Sequence, residues 1–171
     1  IGCHIGSQLT EVTPFVAALD RVLELADRLQ SEGIALTHVD VGGGLGIRYR
    51  DELPPSAGDY ARALTSRLGS RALKILLEPG RALVGEAGLL LTRVEYLKHG
   101  RERNFAVVDA AMNDLLRPAL YDAWHEVRPV RAGSGGANYE IVGPVCETGD
   151  FLARDRTLDL REGDLLAVMA A

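Results

Sequence analysis

Glu78 and Arg81 close the motif Glu78-Pro-Gly-Arg81, directly after the apolar run Ala72–Leu77. Pro79 and Gly80 end the run, so a carboxylate and a guanidinium stand where the backbone turns. Glu78 reads either as a turn acid bonded to a nearby N–H or as a carboxylate facing a bound cation or a ring nitrogen. Arg81 reads either as a surface charge or as a fork for phosphate or carboxylate. A second stretch, Gly143-Pro-Val-Cys-Glu-Thr-Gly-Asp150, presents Cys146 and Glu147 in a turn. A free cysteine is commonly a small buried apolar residue, but beside an acid in a turn it suits a thiol or proton-donor role. Asp40-Val-Gly-Gly-Gly-Leu-Gly46 supplies a third feature. Gly42, Gly43 and Gly44 form either a plain tight turn or an anion cradle of bare N–H groups. Their spacing departs from the dinucleotide fingerprint, which opens a helix at once. His4, with Ser7 and Gln8 behind it, is either a satisfied core histidine or a ligand contact that stacks on a flat ring. Arg117 and Tyr121 stand four apart and share a face of a helical turn, which Pro118 keeps short.

These residues need a scaffold, and the pattern supplies one. Phe15, Leu19, Val22, Leu23, Ala26 and Leu29 recur at helical spacing. Thr13 suits the cap, Pro14 the first helical position and Gly33 the stop. Leu36–Val41 reads as a buried strand. A second helix starts near Ser56, with Ser56 and Asp59 placed like a capping box, and runs over Tyr60, Leu64 and Leu68 to Gly69. Ala72–Leu77 reads as another buried strand. Strand, helix, strand, helix, strand implies a parallel sheet with helical crossovers. All three strands run into a polar or glycine motif, and ligands collect at the carboxyl ends of such strands.

After residue 87 the texture changes. Leu89–Leu97, Asn104–Asp109, Tyr139–Gly143 and Leu165–Val168 read as short strands, with helical signal chiefly at Asn113–Leu116. The fold class is therefore α/β plus β, with an α/β part over 1–87 and a mainly β part over 88–171. Of the 171 residues, 47% are apolar and 25% charged, and the net charge of −5 is spread over both signs. That balance argues against a nucleic-acid or anionic membrane surface. No apolar run approaches a membrane span. Two cysteines make neither a disulfide framework nor a metal-binding pair, so a reducing cytoplasmic setting is expected and no metal site. The chain opens at Ile1 without an initiator Met and closes on an apolar run, which reads as an internal segment of a longer protein.

Taken together and in order, HIGSQ, DVGGGLG, EPGR, DAAMNDLLRPALY and GPVCETGD closely resemble the diaminopimelate decarboxylases. These are pyridoxal-phosphate enzymes with an alanine-racemase-type barrel and a β domain. The departures are Ala111 for Gly, Leu116 for Ile and Thr148 for Ser. The resemblance implies the C-terminal part of a (β/α)8 barrel that binds pyridoxal 5'-phosphate, followed by part of a β domain. It implies that Gly42, Gly43, Gly44, Ser7 and the backbone of Glu78, Pro79, Gly80 and Arg81 hold the phosphate. Glu78 would face the pyridine nitrogen and His4 would stack on the ring. Arg81, Arg117 and Tyr121 would bind substrate, Cys146 would donate a proton, and Glu147 would grip the distal amino group. A homodimer with active sites shared across the interface is implied as well. An acid facing the ring nitrogen favours its protonated form, and so decarboxylation over racemisation. The Schiff-base lysine is expected upstream of Ile1, because neither Lys74 nor Lys98 is suitably placed, and a cofactor-binding tyrosine is expected beyond Ala171. Two other outcomes stay open: a sibling decarboxylase acting on lysine, ornithine or arginine, and a non-catalytic binding homologue.

Overall fold

A computed structural model describes all 171 residues. The chain divides into two compact units, Ile1–Gly85 and Glu86–Ala171. The first contains α1 (Thr13–Ser31), β1 (His38–Asp40), α2 (Ala57–Leu68), β2 (Lys74–Leu76) and the short α3 (Arg81–Val84). β1 and β2 pair in parallel, His38 opposite Lys74 and Asp40 opposite Leu76. Gly2 bridges to Asp40, also in parallel.

Both long helices form over the apolar stripes that predict them. Phe15, Leu19, Val22, Leu23 and Ala26 of α1 are buried, as are Tyr60 and Leu64 of α2. The Phe15 and Tyr60 rings meet edge-on at 4.8 Å. Two arginine forks lash the helices together, Arg67 on Asp20 and Arg71 on Asp27, the latter at 2.8 and 3.0 Å. The α1 cap is a correction: Thr13 is already helical, the cap position falls on Val12, and no side chain caps it. Ser56 does cap α2, accepting from the Asp59 N–H at 3.1 Å while its hydroxyl donates to the Asp59 carboxylate.

β2 also corrects an expectation, because it is largely exposed. Side chains alternate along a strand, so only Leu73 and Ile75 reach the helices. Leu76 and Glu78 point to the opposite face, where no element of this unit packs. β1 divides the same way, with Val39 and Val41 buried under the helices while His38 and Asp40 face the open side.

The second unit is a six-stranded sheet in the order β5-β8-β3-β4-β6-β7. Its strands are β3 (Leu89–His99), β4 (Asn104–Val108), β5 (Val127–Pro129), β6 (Ala137–Val142), β7 (Phe151–Leu158) and β8 (Leu165–Met169). Only β4 and β6 pair in parallel. The core is aliphatic, with Val94, Ala106, Val108, Ile141, Leu152, Leu166 and Val168 all inaccessible to solvent. Helix α4 is Arg117–Tyr121, while 112–114 form only a turn, so the helical signal at Asn113–Leu116 lies one turn too early. No helix is long and apolar enough to cross a membrane.

Two carboxylates bind the second unit's loops. Asp164 accepts from the Arg131 guanidinium at 3.0 and 3.2 Å and from the Arg161 N–H. Asp109 accepts from the Thr92 hydroxyl at 2.6 Å and the Arg93 N–H at 2.8 Å. The Arg131 hydrogen bond and the Thr92 hydroxyl respectively hold these carboxyls below the ordinary carboxylate range. A carboxyl depressed on folding contributes stability that is present above its unfolded pKa and is lost as pH falls through the folded one. Denaturant midpoints followed by the fluorescence of Trp124, the only tryptophan, should therefore be flat near neutrality and drop below about pH 4. Asp164→Asn should flatten that acid slope.

Candidate active site

The triple glycine is the most tightly enclosed of the first unit's glycine positions. Gly42, at φ +71°, is pressed against the Cys3 carbonyl, Gly43 against the Glu78 carbonyl, and Gly44, at φ +112°, against the Gly6 carbonyl. A Cβ at any of the three would collide with backbone. Hydrogen bonds fix the same arrangement. The Gly42 N–H donates to the Asp40 carboxylate at 2.8 Å, the Glu78 N–H to the Gly42 carbonyl at 2.9 Å, and the Leu9 N–H to the Gly44 carbonyl at 2.9 Å. The carboxyl ends of the first stretch, β1 and β2 thus converge on the glycine loop. No group of the chain accepts from the Gly43 or Gly44 N–H.

Beside this loop an open cavity of about 530 Å3 runs along the sheet face away from the helices. His4, His38, Asp40, Leu76 and Glu78 line it together with residues 1–3. Burial, and then the Asp40 carboxylate, push the Cys3 thiol up, which keeps it protonated and unreactive. Arg81 is held by hydroxyls, donating to Tyr49 Oη at 2.8 Å and Ser7 Oγ at 3.2 Å. Neither of these partners is an acid. Lys74 begins β2, four residues before Glu78 and about 13 Å away along an extended strand.

Sequence reasoning names Gln8 in the first turn but not the group it grips. Its backbone sits at φ +61°, and its amide donates to the Ile47 carbonyl at 2.6 Å while accepting from the Ile47 N–H. That clamp closes the far side of the glycine loop. Tyr49 was missed because nothing local in the sequence marks its contact with Arg81, thirty-two residues on.

In the second unit Cys146 and Glu147 are both exposed on the turn joining β6 to β7. Buried Asp150, 3% accessible, holds that turn. Its carboxylate accepts from the Val145 N–H at 2.8 Å and from the Met112 N–H at 2.7 Å. One side chain thereby fastens the Cys146 turn to the loop that leads into α4. Gly143 is required here, because a Cβ would strike the Asp150 carboxylate and the Ala110 carbonyl. On α4, Tyr121 is 71% accessible, and half-buried Arg117 lies 2.9 Å from Nε2 of His125. The structure gathers His4, Ser7, the glycines and Glu78–Arg81 in one unit, and Arg117, Tyr121, Cys146 and Glu147 in the other.

Strand ends that converge on a glycine loop, with a histidine and a carboxylate on one open wall, make a candidate small-molecule site. Residues 15–171 match the family described as pyridoxal-dependent decarboxylase, C-terminal sheet domain, and the chain belongs to that family. It is 61% identical to a diaminopimelate decarboxylase of Pseudomonas aeruginosa, covering all of this chain and 41% of that protein. It is 58% identical to one of Vibrio cholerae, covering all of this chain and 42% of that protein. The crystal structure of diaminopimelate decarboxylase from Helicobacter pylori complexed with L-lysine superimposes with a TM-score of 0.93 at 40% identity, over 99% of this chain and 42% of that one. The chain thus spans about two fifths of the length of the relatives it matches.

Proposed function

We propose that this chain forms part of a decarboxylase that converts meso-2,6-diaminopimelate to L-lysine and CO2 with pyridoxal 5'-phosphate. The observation that carries the reading is the glycine loop itself. Three Cβ-free residues bring His4 and Glu78 to one rim, beside two N–H groups that no group of the chain accepts from. That donor set fits a phosphorylated aromatic cofactor. The identity to diaminopimelate decarboxylases over the full chain and the L-lysine in the Helicobacter pylori structure support the same reading.

In this reading residues 1–87 are the end of a (β/α)8 barrel and 88–171 part of the β domain. Gly42–Gly44 and Ser7, with the Glu78–Arg81 turn, hold the phosphate. Pyridoxal phosphate, when bound, supplies a protonated ring that spreads the electron pair left by departing CO2. Glu78 keeps the ring nitrogen protonated, and His4 packs on the ring face. Arg81, Arg117 and Tyr121 bind substrate, while Glu147 holds the distal ammonium. The Cys146 thiol delivers a proton to the carbon that has lost its carboxylate. The protein acts as a homodimer, with Cys146 and Glu147 of one subunit serving the partner's site. Neither Lys74 nor Lys98 carries the cofactor.

A substrate panel tests this. In a protein of the relatives' full length that carries this chain, CO2 release from meso-diaminopimelate should exceed that from lysine, ornithine or arginine by about a hundredfold or more in kcat/KM, because a buried polar contact left unpaired strongly disfavours the analogue. Preference for another amino acid would replace the substrate. Absence of turnover with cofactor bound would leave a non-catalytic homologue.

A further inference from the structure

The second unit holds one buried histidine that the proposed chemistry does not use. His125 is 1% accessible. Its Nδ1 lies 3.0 Å from the Met169 carbonyl and its Nε2 lies 2.9 Å from Nη1 of Arg117. A carbonyl only accepts and a guanidinium only donates, so the ring must carry its proton on Nδ1 and offer the Nε2 lone pair to Arg117. The imidazole is therefore neutral and of fixed tautomer. Its backbone is pinned too. Arg156 donates to the His125 carbonyl at 3.1 Å, and the Met169 N–H donates to the Glu126 carbonyl at 2.8 Å.

We propose that His125 is a positioning residue that aims the Arg117 guanidinium at a carboxylate of the substrate. The inference rests on the reading of Arg117 as a substrate-binding residue. A neutral anchor suits that task for a physical reason. An aspartate or glutamate at this place would orient Arg117 equally well but would cancel its charge, and a partly neutralised guanidinium attracts a second carboxylate less. An imidazole with a bare nitrogen fixes direction without bringing a negative charge of its own. Arg81 is likewise oriented by uncharged groups, the Tyr49 and Ser7 hydroxyls.

The test uses the full-length enzyme with meso-diaminopimelate. His125→Asn keeps a donor for Met169 but loses the acceptor for Arg117, whereas His125→Gln offers an amide oxygen near the Nε2 position. His125→Asn should raise KM about tenfold, the worth of one hydrogen bond to a charged group, with kcat within about twofold. His125→Gln should recover most of that loss. In an Arg117→Ala background, His125→Asn should add nothing further. Should both His125 variants lower kcat and melting temperature alike with KM unchanged, or should the double variant lose the product of the single effects, His125 is only structural and the proposal is overturned. If Arg117→Ala is impaired and His125→Asn is not, the inference fails while the reading of Arg117 stands. If Arg117→Ala itself leaves kcat/KM intact, both fall. Nitrogen-15 correlations of His125 in the unmutated enzyme give a check that needs no variant to fold: a proton on Nε2 would overturn the proposal, and a proton on Nδ1 with bare Nε2 supports it.

Discussion

Gly43→Ala should cost the full-length enzyme its cofactor. The added methyl lands on the Glu78 carbonyl oxygen, a backbone atom that no rotamer change can remove. To accommodate it the glycine loop and the end of β2 must part, which breaks the bond from the Glu78 N–H to the Gly42 carbonyl. Overpacking of this kind costs about 1–3 kcal/mol, and a buried hydrogen bond about 1 kcal/mol more. The larger effect is on binding. The same displacement moves the Gly43 and Gly44 N–H groups and the Glu78 carboxylate relative to one another, and two charge-assisted phosphate contacts at about 1.5–3 kcal/mol each correspond to a hundredfold or greater loss of affinity. Absorbance titration with pyridoxal phosphate measures that loss, and a thermal melt measures the stability cost. Gly58→Ala is the control: only the Arg62 and Ser56 side chains approach that position, and alanine favours a helix, so both readings should stay near wild type. A Gly43→Ala protein that binds cofactor normally would remove the cradle from the proposed chemistry.

The contact that makes Gly43 sensitive was only half legible beforehand. A glycine run after a strand announces a close backbone approach, and an acid before Pro-Gly announces a strand end. That the two meet follows from parallel pairing of β1 with β2, which the strand–helix alternation implies. What periodicity could not supply was the identity of the covering groups, since Cys3, Gly6 and Glu78 lie more than thirty residues away in one direction or the other. The helices were readable because their stripes are long and clean. β7 was not: Arg154-Asp155-Arg156 puts three charges in its middle, and Asp155 takes φ +54°, which breaks the two-residue alternation. β5 is three residues long and ends in a proline, too short for any pattern. The exposure of β2 was misjudged because an apolar run says nothing about whether both faces of a strand are covered. His125 and Asp150 went unremarked for a related reason. A polar residue in a loop looks the same in sequence whether it is solvated or the hub of a buried network, and only the partners, Arg117 and Met169 in one case and Met112 and Val145 in the other, tell them apart.

Cys146→Ala should separate chemistry from folding in the second unit. The side chain is exposed on its turn, so its removal takes away no packing, and the melting temperature should stay within about one degree. Turnover should fall about a hundredfold to a thousandfold, the range for losing a positioned proton donor, with KM little changed because the thiol acts after substrate is bound. Cys146→Ser, with a hydroxyl that gives up its proton far less readily, should fall between alanine and wild type. Asp150→Ala supplies the opposite case. It leaves the thiol in place but strips the part-buried Met112 and Val145 N–H groups of their charged acceptor, at about 1 kcal/mol or more for each bond lost. That variant should melt at a clearly lower temperature and lose kcat as well, since the turn presenting Cys146 is no longer tied to the loop before α4. The proton-donor assignment stands on the contrast: one substitution silent in stability and severe in rate, the other severe in both. If Cys146→Ala turns over within about threefold of wild type, the proton comes from elsewhere, and the turn serves to present Glu147 alone.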